Sequence, residues 1–134
     1  MKVVDTSVVV AAFASWHDAH EAAHAALTLG PTLTAHGALE AYSVLTRLPP
    51  PHRAPSKIVN TFLTARFSGT WLTLPEEEHR RLLLELTTIG VRGGATYDAL
   101  IGWTAAHHGV SLVTLDARAA STYEALRVEY ELLI

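Results

Sequence analysis

Four of the thirteen acidic residues in this 134-residue chain stand where apolar sequence leads inward. Asp5 ends the run Val3-Val4, Asp98 follows Tyr97 at the head of a helix-like stretch, and Asp116 ends Leu112-Val113-Thr114-Leu115. Glu40 is the only carboxylate between Glu21 and Glu76, set within Ala38-Leu39-Glu40-Ala41-Tyr42-Ser43-Val44-Leu45. Burying a charge is costly unless it is paired, so four such acids point to a common partner. The partner that costs least is a divalent cation preferring hard oxygen ligands, Mg²⁺ or Mn²⁺. The chemistry is then that of a metal-dependent enzyme. Thr6, Ser7 and Thr114 place hydroxyls beside the acids, suited to orienting ligands or metal-bound water.

Ordinary structural roles remain open for each residue taken singly. Asp5, Asp116 and the hydroxyls can cap helices, and Asp98 can face a helix dipole from the first turn. Glu40 has no cap or dipole role in mid-helix, which leaves a solvent-facing position as its alternative. His20-Glu21-Ala22-Ala23-His24 matches the HExxH pattern of zinc metalloproteases, in which two histidines one turn apart bind zinc and the glutamate activates water. A third ligand would have to come from Glu40 or another distant acid, and Asp5, Asp98 and Asp116 would go unexplained. A solvated helix face carrying His17, His20 and His24 accounts better for the segment. A dehalogenase-type phosphatase wants a second Asp where Ser7 stands, and a receiver domain wants a late-strand Lys, whereas Lys2 and Lys57 are the only lysines.

The elements that must position the acids follow from periodicity and punctuation. Residues 2–5 predict a buried strand, and Thr6 to Ala14 a helix. A second helix is expected from His17 to Leu29, stopped by Gly30-Pro31, and a short strand over 32–34. Helices are expected over 37–48 and 55–67, followed by a strand over 71–74. Pro75 with Glu76-Glu77-Glu78 starts a helix that runs to a break at Gly90 and Gly93-Gly94. Another helix spans 96–108, then a strand over 111–115, a short helix from Ala117 and a last strand over 128–132. Strands alternating with helices predict an α/β fold, a parallel sheet covered on both faces. Ligands collect at the carboxyl ends of such strands, where Asp5 and Asp116 both fall.

Length fits one domain over residues 1–134. The absence of cysteine excludes disulfides, thiolate zinc sites and cysteine nucleophiles. No apolar run suits a secretory leader or a bilayer span, so a cytoplasmic protein without a membrane role is expected. A net charge of −3 excludes non-specific electrostatic nucleic-acid binding. Arg47, Arg53 and Lys57, around Pro49-Pro50-Pro51, form the one notable basic group.

Val3-Val4-Asp5-Thr6-Ser7, Glu40, Tyr97-Asp98-Ala99-Leu100-Ile101 with Ala105-Ala106, and Leu112-Val113-Thr114-Leu115-Asp116-Ala117-Arg118-Ala119 together resemble the PIN-domain family, and within it the bacterial VapC-type toxins. The resemblance spans essentially the whole chain. It implies a three-layer α/β/α fold with a central parallel sheet, and a Mg²⁺- or Mn²⁺-dependent endoribonuclease of a type II toxin–antitoxin system. It also implies a homodimer silenced by a cognate antitoxin protein. Carried over, Asp5, Glu40, Asp98 and Asp116 become the acidic quartet, with Asp5 and Asp98 as direct metal ligands and Thr114 as a supporting hydroxyl. Some relatives carry a further acid or amide just beyond the fourth position. Ala117-Arg118-Ala119-Ala120 has none, which puts a second metal site in question. Arg53, Lys57 and Arg118 are the candidate RNA phosphate contacts, and strongly salt-sensitive cleavage is expected if they serve. DNA stays open as a further substrate, and a non-catalytic scaffold of the same fold is the competing reading.

Overall fold

Val3 and Val4 lie on β1 (Lys2–Val4), and Leu112 and Val113 on β2 (Ser111–Thr114). Successive strand side chains face opposite sides of a sheet. Val3 and Leu112 accordingly enter one hydrophobic core, and Val4 and Val113 the other. The computed structural model describes residues 1–133. In it β1, β2 and β3 (Tyr130–Leu132) pair in that order, all parallel, with Val3 opposite Leu112 and Val113 opposite Glu131.

The layer on Val4 and Val113 consists of α1 (Thr6–Phe13), α2 (His20–Leu27), α3 (Ala35–Thr46) and α4 (Ser56–Arg66). The layer on Val3 and Leu112 consists of α5 (Glu76–Ile89), α6 (Ala95–His107) and α7 (Ala117–Ala125). This is the expected three-layer α/β/α arrangement. Helix α1 contains three consecutive valines, poor helix formers by themselves. Burial overrides that preference, because Val8, Val9, Ala11 and Ala12 are all withdrawn from water. Helix α5 begins after Pro75 with three glutamates in its first turn and ends at Gly90, whose φ of 78° is the left-handed stop that glycine adopts without strain.

Several boundaries differ from the sequence reading. The segments at 32–34 and 71–74 form single parallel bridges, Val3 with Thr32 and Thr34 with Leu72, rather than strands. Pro31 precedes the first and α3 begins at Ala35, so too few residues remain for a ladder. The N–H of Thr32 still donates to Lys2 O at 2.9 Å and that of Leu72 to Leu33 O at 2.9 Å, which extends the sheet beyond β1. Helix α2 starts at His20 rather than His17, because the His17 ring accepts the N–H of Ala19 at 3.0 Å and holds a turn there. Helix α3 starts two residues early, capped by Thr34, whose hydroxyl accepts the N–H of Gly37 at 2.8 Å. The last strand starts at Tyr130, since Val128 N–H is taken by Tyr123 O at 2.9 Å. No helix among the described residues is long and apolar enough to cross a membrane.

Candidate active site

Strands β1 and β2 are parallel neighbours, so their carboxyl ends abut. The backbone N–H of Asp5 donates to Val113 O at 3.0 Å, and Asp116 follows two residues after β2. Helix α3 brings Glu40 to the same edge, and the first turn of α6 brings Asp98. All four carboxylates line one open cleft of about 510 Å³, together with Thr6, Ser7 and His17. A second cavity, of about 530 Å³, lies against α2 and the sheet and is lined mainly by Val4, Ala22, Ala26, Leu29 and Val113. Its charged side chains, Lys2 and Glu131, are paired with each other at 2.6 Å, so it offers no comparable cluster of acids.

Asp5 is the most buried of the four, 3% exposed. One carboxylate oxygen, Oδ1, accepts the N–H of Ser7 at 3.0 Å, the Ser7 hydroxyl, and the N–H of Val8 at 3.4 Å, which makes Asp5 the cap of α1. Its Oδ2 accepts the Tyr123 hydroxyl at 2.8 Å. Burial pushes the Asp5 carboxyl above the ordinary range, against hydrogen bonds from Ser7, Thr114, Tyr123 and Val8 that pull it down. Burial and the neighbouring Asp5 charge likewise raise Tyr123, so its hydroxyl stays a neutral donor. The Tyr123 ring is fully buried against Gly102 of α6; a Cβ at that glycine would stand 2.8 Å from Tyr123 Cδ1. Ser7 Oγ also accepts the N–H of Leu115 at 2.9 Å, and Thr114 Oγ1 accepts that of Asp116 at 3.0 Å. The two hydroxyls, 3.3 Å apart, thus tie the ends of β1 and β2 together. Asp116 caps α7 through the N–H of Arg118 at 2.9 Å.

Glu40 accepts the Thr6 hydroxyl and lies 3.9 Å from His36 Nε2, one turn earlier on α3. The His36 ring is the main influence holding the Glu40 carboxyl below its ordinary range, with burial opposing and the Thr6 hydrogen bond assisting. At 3.9 Å the histidine acts through charge proximity rather than a formed hydrogen bond, and His36 Nε2 has no hydrogen-bond partner among the described residues. Asp98 differs from its neighbours. No described residue donates a side-chain hydrogen bond to its half-buried carboxylate. Desolvation, followed by the charges of Glu40, Asp5 and Asp116, pushes it up to about 6. That shared repulsion follows from like charges converging on one half-buried group.

Among the described residues, no three His, Asp or Glu side chains are already drawn close enough to grip a metal ion. The donor set nonetheless fits one. It supplies hard carboxylate oxygens, net negative charge, and in Asp98 a side chain not committed to the protein. The structural roles weighed from sequence are realised as well: Asp5 and Asp116 cap helices while lining the cleft, and Asp98 sits in the first turn of α6. Arg53, Lys57 and Arg118 are exposed and line no part of the cleft, and Arg53 Nε donates to Leu48 O at 2.9 Å. In the HExxH segment, Nδ1 of His20 is 2.9 Å from Ala11 O, Glu21 and His24 are exposed, and no third ligand is near. Sequence reasoning did not single out Tyr123, His36 or the cleft-lining role of His17. The one signal that could have marked Tyr123 is Gly102, a break in an otherwise apolar helix pattern where the Tyr123 ring approaches.

The parallel sheet, its two helical layers and the acids at its carboxyl edge define a PIN fold, and the chain belongs to the PIN-domain family, whose model matches residues 2–125. Within that family it is of the VapC type. It is 54% identical over 129 residues to Ribonuclease VapC40 of Mycobacterium tuberculosis, covering 96% of each chain. Identity to Ribonuclease VapC27 of the same species is 40% over 130 residues, covering 93% of this chain and 91% of the relative. Among solved structures, FitAcB from Neisseria gonorrhoeae superimposes with a TM-score of 0.71 at 18% identity, over 97% of this chain and 96% of that one. FitAB bound to an IR36 DNA fragment gives 0.72 at 18%, over 98% and 94%. At that identity these two speak for the fold alone.

Proposed function

We propose that this chain is the toxin of a type II toxin–antitoxin pair, an endoribonuclease that hydrolyses RNA phosphodiester bonds with Mg²⁺ or Mn²⁺ held by Asp5, Glu40, Asp98 and Asp116. The observation that carries this reading is the convergence of those carboxylates in one cleft, in a chain 54% identical to a protein named as a ribonuclease. A bound divalent cation supplies positive charge against the scissile phosphate and lowers the pKa of a water.

The chain's own residues supply position. Asp5 is locked by Ser7 on one oxygen and Tyr123 on the other. Glu40 is steadied by Thr6. Asp98 is the acid left free to reorient. Hydrolysis adds a water oxygen to phosphorus and breaks the P–O3′ bond, leaving a 5′-phosphate and, after proton transfer to the departing oxygen, a 3′-hydroxyl. Silencing by a cognate antitoxin and assembly as a homodimer belong to the same proposal. The half-exposed Trp16, next in sequence to the cleft-lining His17, and Leu39 and Tyr42 on the outer face of α3, offer apolar surface for such partners.

The test is cleavage of a labelled structured RNA by purified, antitoxin-free protein with Mn²⁺, Mg²⁺ or EDTA. Metal-dependent cleavage lost in Asp5→Asn and kept in Glu21→Gln is expected. Cleavage that survives EDTA, or 2′,3′-cyclic phosphate ends on the products, would overturn the reaction as written.

A further inference from the structure

No lysine or arginine lines the acid cleft, and the chain carries a net charge of −3. Basic side chains inside the cleft therefore do not supply the affinity for a nucleic acid strand. The remaining source of affinity independent of charge is stacking of bases on aromatic rings, which also tolerates any base. One ring pair in the required arrangement adjoins two of the cleft acids, although neither ring is part of the cleft lining itself. Tyr97, the residue before Asp98, is stacked on His36 with ring centroids 5.4 Å apart and planes only 12° from parallel. His36 in turn lies one helical turn before Glu40, with its Nε2 3.9 Å from the Glu40 carboxylate.

The pair thus bridges the first turns of α3 and α6, the two helices that deliver Glu40 and Asp98. Tyr97 is 53% exposed, and its neighbour in sequence is a cleft acid. His36 backs one side of the ring and fixes its plane, so little rotamer freedom remains to be lost when a second flat group settles on the open side.

We propose that the Tyr97–His36 pair is a nucleobase-stacking subsite, holding the base of a nucleotide adjoining the scissile phosphate of a single-stranded RNA segment. The proposal rests on the ribonuclease reading. It assigns the substrate a local form, since a base inside a duplex has no free face to offer. Tyr97 is a binding residue here, and His36 a positioning residue that sets the plane of its ring.

The experiment compares binding of a fluorescein-labelled single-stranded RNA of about ten nucleotides with that of the same backbone lacking bases. Anisotropy is read in EDTA so that neither probe is consumed. The wild-type chain is expected to prefer the RNA with bases about tenfold, Tyr97→Phe to keep that preference, and Tyr97→Ala to lose most of it. With Mn²⁺, Tyr97→Ala should raise KM with little change in kcat. His36→Phe, which keeps a stacked ring, should hold the preference, whereas His36→Ala should weaken it. Equal binding of the two probes by the wild-type chain overturns the inference, as does a preference that survives Tyr97→Ala. If Tyr97→Ala instead weakens only the binding of an apolar helical peptide, the ring belongs to a protein contact. Metal-dependent cleavage by the wild-type chain is scored separately, so its absence would sink the ribonuclease reading without being mistaken for failure of the subsite.

Discussion

Removing the charge of Asp98 should make the metal-free protein more stable. Asp98 ionises with a pKa near 6 in the folded chain against an ordinary 3.8, because it is half buried among three other acids. The folded state therefore holds the Asp98 proton more tightly than the unfolded one. Stability is undiminished below about pH 4 and falls as pH rises from 3.8 through 6. Roughly two pKa units correspond to about 3 kcal/mol. Solvent screening at this half-exposed position reduces the figure to about 1 kcal/mol. Asp98→Asn has the same shape without the charge, so at pH 7.5 in EDTA its unfolding midpoint should lie about 3–4 °C above wild type. At pH 4.5 the gain should be smaller. Magnesium should stabilise the wild-type chain and the variant much less. Thermal unfolding followed by circular dichroism at both pH values, with and without metal, reads all of this. An Asp98→Asn variant no more stable than wild type at pH 7.5, or equally stabilised at both pH values, would refute the repulsion argument.

The other predictions concern the scaffold of the site and its surface. Tyr123→Phe removes the donor to the buried Asp5 Oδ2 and should cost about 1.5–3 kcal/mol in urea unfolding; a loss below about 0.5 kcal/mol would show that the carboxylate finds another donor. Gly102→Ala forces a methyl group to 2.8 Å from the Tyr123 ring and should cost about 1–3 kcal/mol, while an unchanged urea midpoint would mean that the ring shifts freely. Because Arg53, Lys57 and Arg118 lie outside the cleft lining, the logarithm of kcat/KM should fall with the logarithm of salt concentration at a slope no steeper than about −2; a steeper slope would return those residues to the substrate path.

The layout of the site was legible in the sequence wherever one residue could be located by its own neighbours. Val3-Val4-Asp5 and Leu112-Val113-Thr114-Leu115-Asp116 each read as a buried strand running into an acid, and a parallel sheet forces two such ends together. Glu40 was legible as the lone charge in an apolar helix. What stayed hidden were relations between distant segments that leave no local mark. Nothing near Tyr123 in sequence signals that its hydroxyl reaches Asp5, since that contact depends on the packing of α7 against α6. The contact between His36 and Tyr97 is likewise unmarked until α3 and α6 are placed side by side. The short strands over 32–34 and 71–74 were over-read because apolar alternation marks an extended chain but not how far its pairing runs.

Asp5 and Asp98 lie in one cleft but are bound to the rest of the molecule in opposite ways. Asp5 holds the start of a helix and anchors a buried tyrosine, so a chain that loses it loses part of its framework. Asp98 holds nothing and repels its companions, so a chain that loses it folds more easily. A lineage drifting from nuclease to inert binding partner would therefore shed Asp98 early and retain Asp5 long after catalysis had gone. In such descendants an intact Asp5 would be a relic of architecture, and the state of position 98 would be the better guide to whether the chain still cuts.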